Sequence, residues 1–198
     1  MGISDTILTF IGSMVPTLQL VAIFLFSFAE GLPVIGSILP GGTIALLAGR
    51  LSAAGFFSPV LAFAIIAISS FAGDMTGFFA GKCFKEAGWL KRIVTHEKHQ
   101  KSWDLFDRHI AIISIFGKLI PVVRSTPSLF AAARGIRTRR YMLYSFLGSA
   151  LWAFAGVFAG NILTQYLGDK AIPVILLILV VSIIAVSIQQ LRKRKKQV

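Results

Sequence analysis

The sequence predicts an all-α integral membrane protein with two opposed re-entrant hairpins in inverted repeats plus transmembrane helices. Three observations predict it. Hydrophobic residues make up 56% of the 198 and charged residues only 14%, against roughly 25% charged in soluble domains. Stretches 58–81, 141–167 and 171–191 are continuously apolar, each meeting the roughly 20 residues that cross a 30 Å hydrocarbon core. Stretches 18–50 and 110–133 are apolar but interrupted, the first by Glu30, Pro33, Gly36, Pro40, Gly41 and Gly42, the second by Lys118, Pro121, Arg124 and Pro127. Broken backbone and charge at membrane depth persist only where protein or a wet cavity satisfies them.

The elements follow in order. Residues 1–15 carry Ile3, Ile7, Leu8, Phe10, Ile11 and Met14 and read as an interfacial helix. No basic n-region precedes an apolar run there, so no cleavable signal peptide is expected. Segment 18–50 reads as the first hairpin, entering from outside, with a short span beginning near Pro16 as the alternative, and 58–81 reads as the span that follows it inward. Residues 82–108 are basic and polar with spaced apolar residues (Trp89, Leu90, Ile93, Val94, Trp103, Phe106), the pattern of a cytoplasmic membrane-surface helix. Segment 110–133 joins two basic loops, 82–108 and 134–140, which the positive-inside rule makes cytoplasmic. It is too short to cross twice and cannot cross once, so it must enter and return on one side. Segment 141–167 then exits, Gly168-Asp169-Lys170 turns outside, and 171–191 returns to the basic tail 192–198. The chain is thus one membrane domain over 1–198, with a first repeat at 18–81, an amphipathic segment at 82–108 and a second repeat at 109–167.

A weak internal repeat supports the inverted arrangement. Ile38-Leu39-Pro40 recurs as Leu119-Ile120-Pro121, and Gly77-Phe78-Phe79-Ala80-Gly81 recurs as Gly156-Val157-Phe158-Ala159-Gly160. Paired interrupted segments in two inverted halves point to a transport site near the midplane. The recurring glycines also let helices approach closely and permit a homodimer.

Charge distribution separates the function classes. The net charge is +12, but sixteen of the twenty Lys and Arg lie in 82–108, 134–140 and 192–196, flanking apolar spans. That is a topology signature. No stacking platform accompanies a basic groove, which argues against nucleic acid. Cys83 is the single cysteine, so an intrachain disulfide is excluded. His96, His99 and His109 sit in or beside the basic loop without a zinc motif. No nucleophile–base set appears, so no enzyme, metal or cofactor is expected.

The remaining chemistry is intramembrane. Glu30 and Asp74 are the acids in strongly apolar surroundings. Burial raises a carboxylate's pKa and a nearby cation lowers it, so such groups suit proton coupling or gating. The alternative is a salt bridge to Lys118 or Arg124 that merely ties the hairpins together. Arg124 offers a planar donor fork for phosphate oxygens, Lys118 a point charge, and Ser125 and Thr126 hydroxyls. Together they read as a lipid phosphate site. Arg134, Arg137, Arg139 and Arg140 line the cytoplasmic lip as headgroup contacts or as topology signals alone.

Three ordered blocks resemble the DedA family of membrane proteins (the VTT, or SNARE-associated, domain). They are Glu30-Gly31-Leu32-Pro33 with Leu39-Pro40-Gly41 and Ala48-Gly49; Gly73-Asp74 with Gly77-Phe78 and Gly81-Lys82; and Phe106-Asp107-Arg108 with Gly117-Lys118-Leu119-Ile120-Pro121-Val122-Val123-Arg124, Pro127, Arg139-Arg140-Tyr141, Gly148 and Trp152. The resemblance implies a lipid flippase or scramblase of the bacterial inner membrane, multi-pass with a cytoplasmic C-terminus. Its cargo would be undecaprenyl phosphate, with phosphatidylethanolamine or general phospholipid as the alternative. A non-transporting assembly factor is the rival class. Glu30, Asp74 and Arg124 match family positions. Lys118 stands where the family carries an arginine, and Gly42 where it often carries an acid, which leaves Glu30 or Asp74 to carry any titration.

Overall fold

The computed structural model describes residues 16–33, 35–37, 42–84, 100–120, 124, 126–171, 173–174 and 177. Its helices in chain order are α1 (Pro16–Gly31), α2 (Thr43–Ala53), α3 (Pro59–Cys83), α4 (Gln100–Arg108), α5 (Ile110–Phe116), α6 (Thr126–Ala133) and α7 (Thr138–Leu167). Short 3-10 turns at Ile35–Ser37, Gly117–Leu119 and Gly168–Lys170 join or end them. The described residues contain no strand. The interfacial helix expected at 1–15, residues 85–99 of the amphipathic segment expected at 82–108 and nearly all of the span expected at 171–191 lie outside the described residues.

Local chemistry sets the boundaries. Pro16 opens α1, where its missing N–H is harmless. Ser58 caps α3 by accepting a hydrogen bond from the Leu61 amide at 3.1 Å, and Pro59 follows at the first helical position. Pro127 lies in the first turn of α6, so it opens the returning helix of the second interrupted segment. The break itself lies between Leu119 and Thr126. Gly168 ends α7 with φ of 53°, a conformation that disfavours side chains with a Cβ. α7 starts three residues before the expected Tyr141, taking in Arg139 and Arg140.

α3 and α7 are the two described helices long and apolar enough to cross a membrane. At 1.5 Å per residue the 25 residues of α3 reach about 37 Å. They pack antiparallel. Phe78 stacks on Tyr141 at 4.7 Å and Phe71 meets Phe146 edge-on at 5.7 Å. One turn apart along the same stripe, Ser145 meets Asp74, while Ala62, Ile66, Ala153 and Val157 share a core.

The interrupted helix pairs lie along this frame from opposite ends. α1 runs alongside α3 in the same direction, with Phe28 and Gly31 at Gly73 and Pro33 at Gly77. α2 returns alongside α7: Gly42 faces Trp152, Ala45 faces Gly156, and Leu46 faces Gly160. In the other half, α5 places Ser114 and Ile115 on Gly148, and α6 places Ser128 on Gly77 and Ala132 on Gly81. The repeated Gly-x-x-x-Gly elements therefore do matching jobs. Each receives the returning arm of the pair from the other repeat. A Cβ on Gly81 would lie 2.8 Å from both the Ala132 side chain and the Leu129 carbonyl, so only glycine permits that approach.

Candidate functional site

The tips of the two pairs meet beside the middle of α3 and α7, and the four predicted charges meet there. Gly31 packs against Ser70, Gly73 and the Asp74 amide, which sets Glu30 at the level of Asp74. Glu30 and Asp74 are each 2% exposed, Lys118 6% and Arg124 5%, so none faces lipid or bulk solvent. Arg124 donates from Nη2 to Glu30 Oε2 at 2.8 Å, across 94 residues of sequence. Lys118 Nζ lies 2.6 Å from Asp74 Oδ2. The site is thus two buried ion pairs.

Small hydroxyls complete it. Lys118 Nζ donates to Ser70 Oγ at 3.2 Å and to Ser149 Oγ. Ser145 Oγ donates to Asp74 Oδ2 at 2.5 Å, and Ser149 Oγ donates to the Ser145 carbonyl at 2.8 Å. Ser70 lies one turn before Asp74 on α3, and Ser145 and Ser149 lie one turn apart on α7, so both spans present hydroxyls to the same level. The Arg124 guanidinium lies over the Trp152 ring at 5.0 Å. Such a contact in a desolvated place is worth about 2 kcal/mol. Taking charges out of water costs several kcal/mol each, so only paired, hydrogen-bonded charges persist in such a place.

The other predicted residues fall elsewhere. Ser125 and the Thr126 side chain lie outside the described residues. Arg134 is tied to Asp107, with Nε 3.0 Å and Nη2 2.5 Å from Oδ2. That hydrogen bond raises Arg134 above the usual guanidinium range. Arg137, Arg139 and Arg140 are exposed, and Arg140 donates to the Tyr144 hydroxyl at 3.1 Å. These three stand about four helical turns from Trp152 and do not join the central site. Sequence reasoning assigned no role to Ser70, Ser145 or Ser149. Their spacing from Asp74 and from each other was the available signal. Arg50 was also passed over. It is buried at the far end of α2 and donates to the Gly168 carbonyl at 3.0 Å, which fastens α2 to the end of α7.

Residues 39–162 match the VTT domain. This chain belongs to that family, the DedA membrane proteins. It is similar to the inner membrane protein YghB of Escherichia coli, at 28% identity over 120 residues, 59% of this chain and 54% of YghB. The Protein DedA of Escherichia coli is 24% identical over 182 residues, 87% of this chain and 82% of that protein. In the YghB match the chain spans about half the length of its relative. No solved structure matches. Membership makes this chain a membrane protein, and the two long apolar helices accord with it.

Proposed function

We propose that this member of the VTT domain family is a lipid flippase of the bacterial inner membrane, moving a phosphate-bearing lipid between leaflets, with undecaprenyl phosphate as cargo. The observation that carries the reading is the pair of buried cations, Lys118 and Arg124, held by carboxylates where two broken helix pairs meet. In this reading both pairs are re-entrant. α1–α2 dips from outside, α5–α6 dips from the cytoplasm, and 171–191 returns the C-terminus to the cytoplasm.

Arg124 and Lys118 bind the phosphate, and Ser125 and Thr126 add hydroxyl donors. Glu30 and Asp74 act as internal stand-ins for it. A carboxylate that takes a proton releases its cation, and the freed guanidinium or ammonium takes a phosphate oxygen instead. Charge balance favours this exchange. Two carboxylates and two cations sum to zero, and an added anion in a low-dielectric site is strongly disfavoured unless a proton accompanies each negative charge. Phosphate and protons therefore travel together, and an inwardly directed proton gradient drives the lipid inward. Arg137, Arg139 and Arg140 attract acidic headgroups at the cytoplasmic lip.

The test is leaflet exchange of labelled polyprenyl phosphate in vesicles containing the purified protein. Arg124→Ala abolishes exchange while insertion stays normal. Equal exchange by wild type and Arg124→Ala defeats the reading. Exchange of phosphatidylethanolamine alone reassigns the cargo. No exchange of any lipid by the wild type leaves a docking protein whose surface aromatics matter more than Arg124.

A further inference from the structure

Trp152 carries a hydrogen-bond donor that the two ion pairs leave unused. It stands on the stripe of α7 that builds the site. Ser145, Ser149, Trp152 and Gly156 recur at helical spacing and so share one face. Ser145 meets Asp74, Ser149 meets Lys118, and Gly156 faces Ala45 of α2. Trp152 fills the interval between them. Its ring lies under the Arg124 guanidinium at 5.0 Å. A Cβ on Gly42, the N-cap of α2, would lie 3.5 Å from its Cη2. The residue as a whole is half-buried, yet its Nε1 is shut off from solvent and has no hydrogen-bond acceptor.

A buried indole N–H ordinarily finds a partner, and leaving it without one costs its full desolvation. The group donates and never accepts, so whatever satisfies it brings a lone pair. Its surroundings favour an anion for that role. An aromatic ring is negative over its face and positive at its edge. Arg124 occupies the face, which leaves the positive N–H edge for an acceptor. The guanidinium and the Lys118 ammonium place two cations in the same site. No side chain caps α2 at Gly42, so the positive end of that helix adjoins the ring as well.

Nε1 differs from the other donors of the site. Arg124 and Lys118 are held by Glu30 and Asp74, and each must leave a carboxylate before it takes a phosphate oxygen. The indole leaves nothing. It is also neutral, so it binds an anion without altering the charge balance of the site. A phosphomonoester carries three terminal acceptor oxygens, and a second ester link leaves two. The guanidinium fork, the ammonium and the indole N–H come from separate parts of the chain. Each can serve one oxygen of a monoester, whereas a diester leaves one donor unserved.

We propose that Trp152 Nε1 donates directly to the lipid phosphate and makes the site select phosphomonoester over phosphodiester headgroups. This deepens the flippase reading and rests on its placing of the phosphate between Arg124 and Lys118.

The test reads binding, not transport. Trp89→Phe with Trp103→Phe leaves Trp152 as the sole tryptophan of the chain, so its isotope-labelled indole gives a single N–H signal by nuclear magnetic resonance. In lipid nanodiscs, geranylgeranyl phosphate moves that proton signal downfield as a charge-assisted hydrogen bond forms. The methyl phosphodiester of the same tail moves it far less. Calorimetry then compares affinities. Trp152→Phe keeps a ring under Arg124 and removes the N–H. It weakens monoester binding by on the order of tenfold to a hundredfold, what a hydrogen bond to a charged group contributes. Diester binding changes far less, so the preference between the two headgroups collapses. An indole with a merely structural role would lower both affinities together. The signal is read on the native tryptophan, so it decides the contact even where Trp152→Phe does not fold. A signal that stays in place across the monoester titration, or equal losses for monoester and diester in Trp152→Phe, overturns the proposal. A signal that moves in a protein unable to exchange polyprenyl phosphate in vesicles sinks the flippase reading and keeps the contact.

Discussion

The Glu30–Arg124 pair invites a double-substitution cycle, because a structural clamp and a transport site predict different outcomes. Both side chains are under 6% exposed and their atoms lie 2.8 Å apart. Glu30→Leu leaves a guanidinium buried without that carboxylate. Breaking a buried pair by removing one partner costs about 3–5 kcal/mol. For a chain of this size each kcal/mol moves the melting temperature by roughly 2–4 °C, so Glu30→Leu lowers it by about 10 °C. Arg124→Met alone behaves similarly. The double variant Glu30→Leu with Arg124→Met fills the same space with neutral side chains, and its stability returns to within about 1 kcal/mol of the native value or above it. Thermal unfolding in detergent measures the stabilities, and vesicle exchange of polyprenyl phosphate measures activity. The double variant should be stable and inactive. Recovery of both stability and exchange would refute a transport role and leave the pair as a tie between the two interrupted segments. An unchanged melting temperature in both single variants would refute the buried pairing itself.

Further outcomes follow from the same geometry. Trp152→Leu removes the aromatic face beneath Arg124 and slows exchange, while Trp152→Phe keeps part of the activity; equal rates in all three proteins would remove the ring from the site. Gly81→Val drives a branched side chain into the Leu129 carbonyl and Ala132, and overpacking lowers stability by about 1–3 kcal/mol, read as a fall in melting temperature. Arg134→Gln breaks a pair that is 20% and 32% exposed, and such surface pairs are worth about 0–1 kcal/mol, so its melting temperature should stay near that of the wild type. Cys83 is exposed at the end of α3, so a membrane-impermeant thiol reagent labels it from the cytoplasmic side only. With Cys83→Ser as background, Ser58→Cys is labelled only from outside, and labelling of both from one side contradicts the direction assigned to α3.

Much of this site was legible in the chain. Glu30, Asp74, Lys118 and Arg124 stood out because a charge within an apolar run has few stable places to go. The prolines and glycines around them marked interrupted backbone for the same reason. The hydroxyl set was not legible. A serine in an apolar helix is unremarkable until the facing helix is known, and Ser145 gains meaning only because antiparallel packing sets it on Asp74. Pro127 misled in the other direction. The chemistry that breaks a helix in its interior also opens one in its first turn, and position relative to the break decides which applies.

Composition, charge asymmetry and the placement of helix-breaking residues were enough to determine a membrane protein with two interrupted segments, because water, lipid and unpaired backbone groups act on each stretch separately. Which acid meets which cation is different. Glu30 took Arg124 and Asp74 took Lys118 across 94 and 44 residues of chain, and either pairing satisfies the same local rules. The choice rests on how close glycines such as Gly31, Gly73 and Gly81 let the backbones come and on which helix turns face one another. Those are properties of packing between segments, which no single segment encodes.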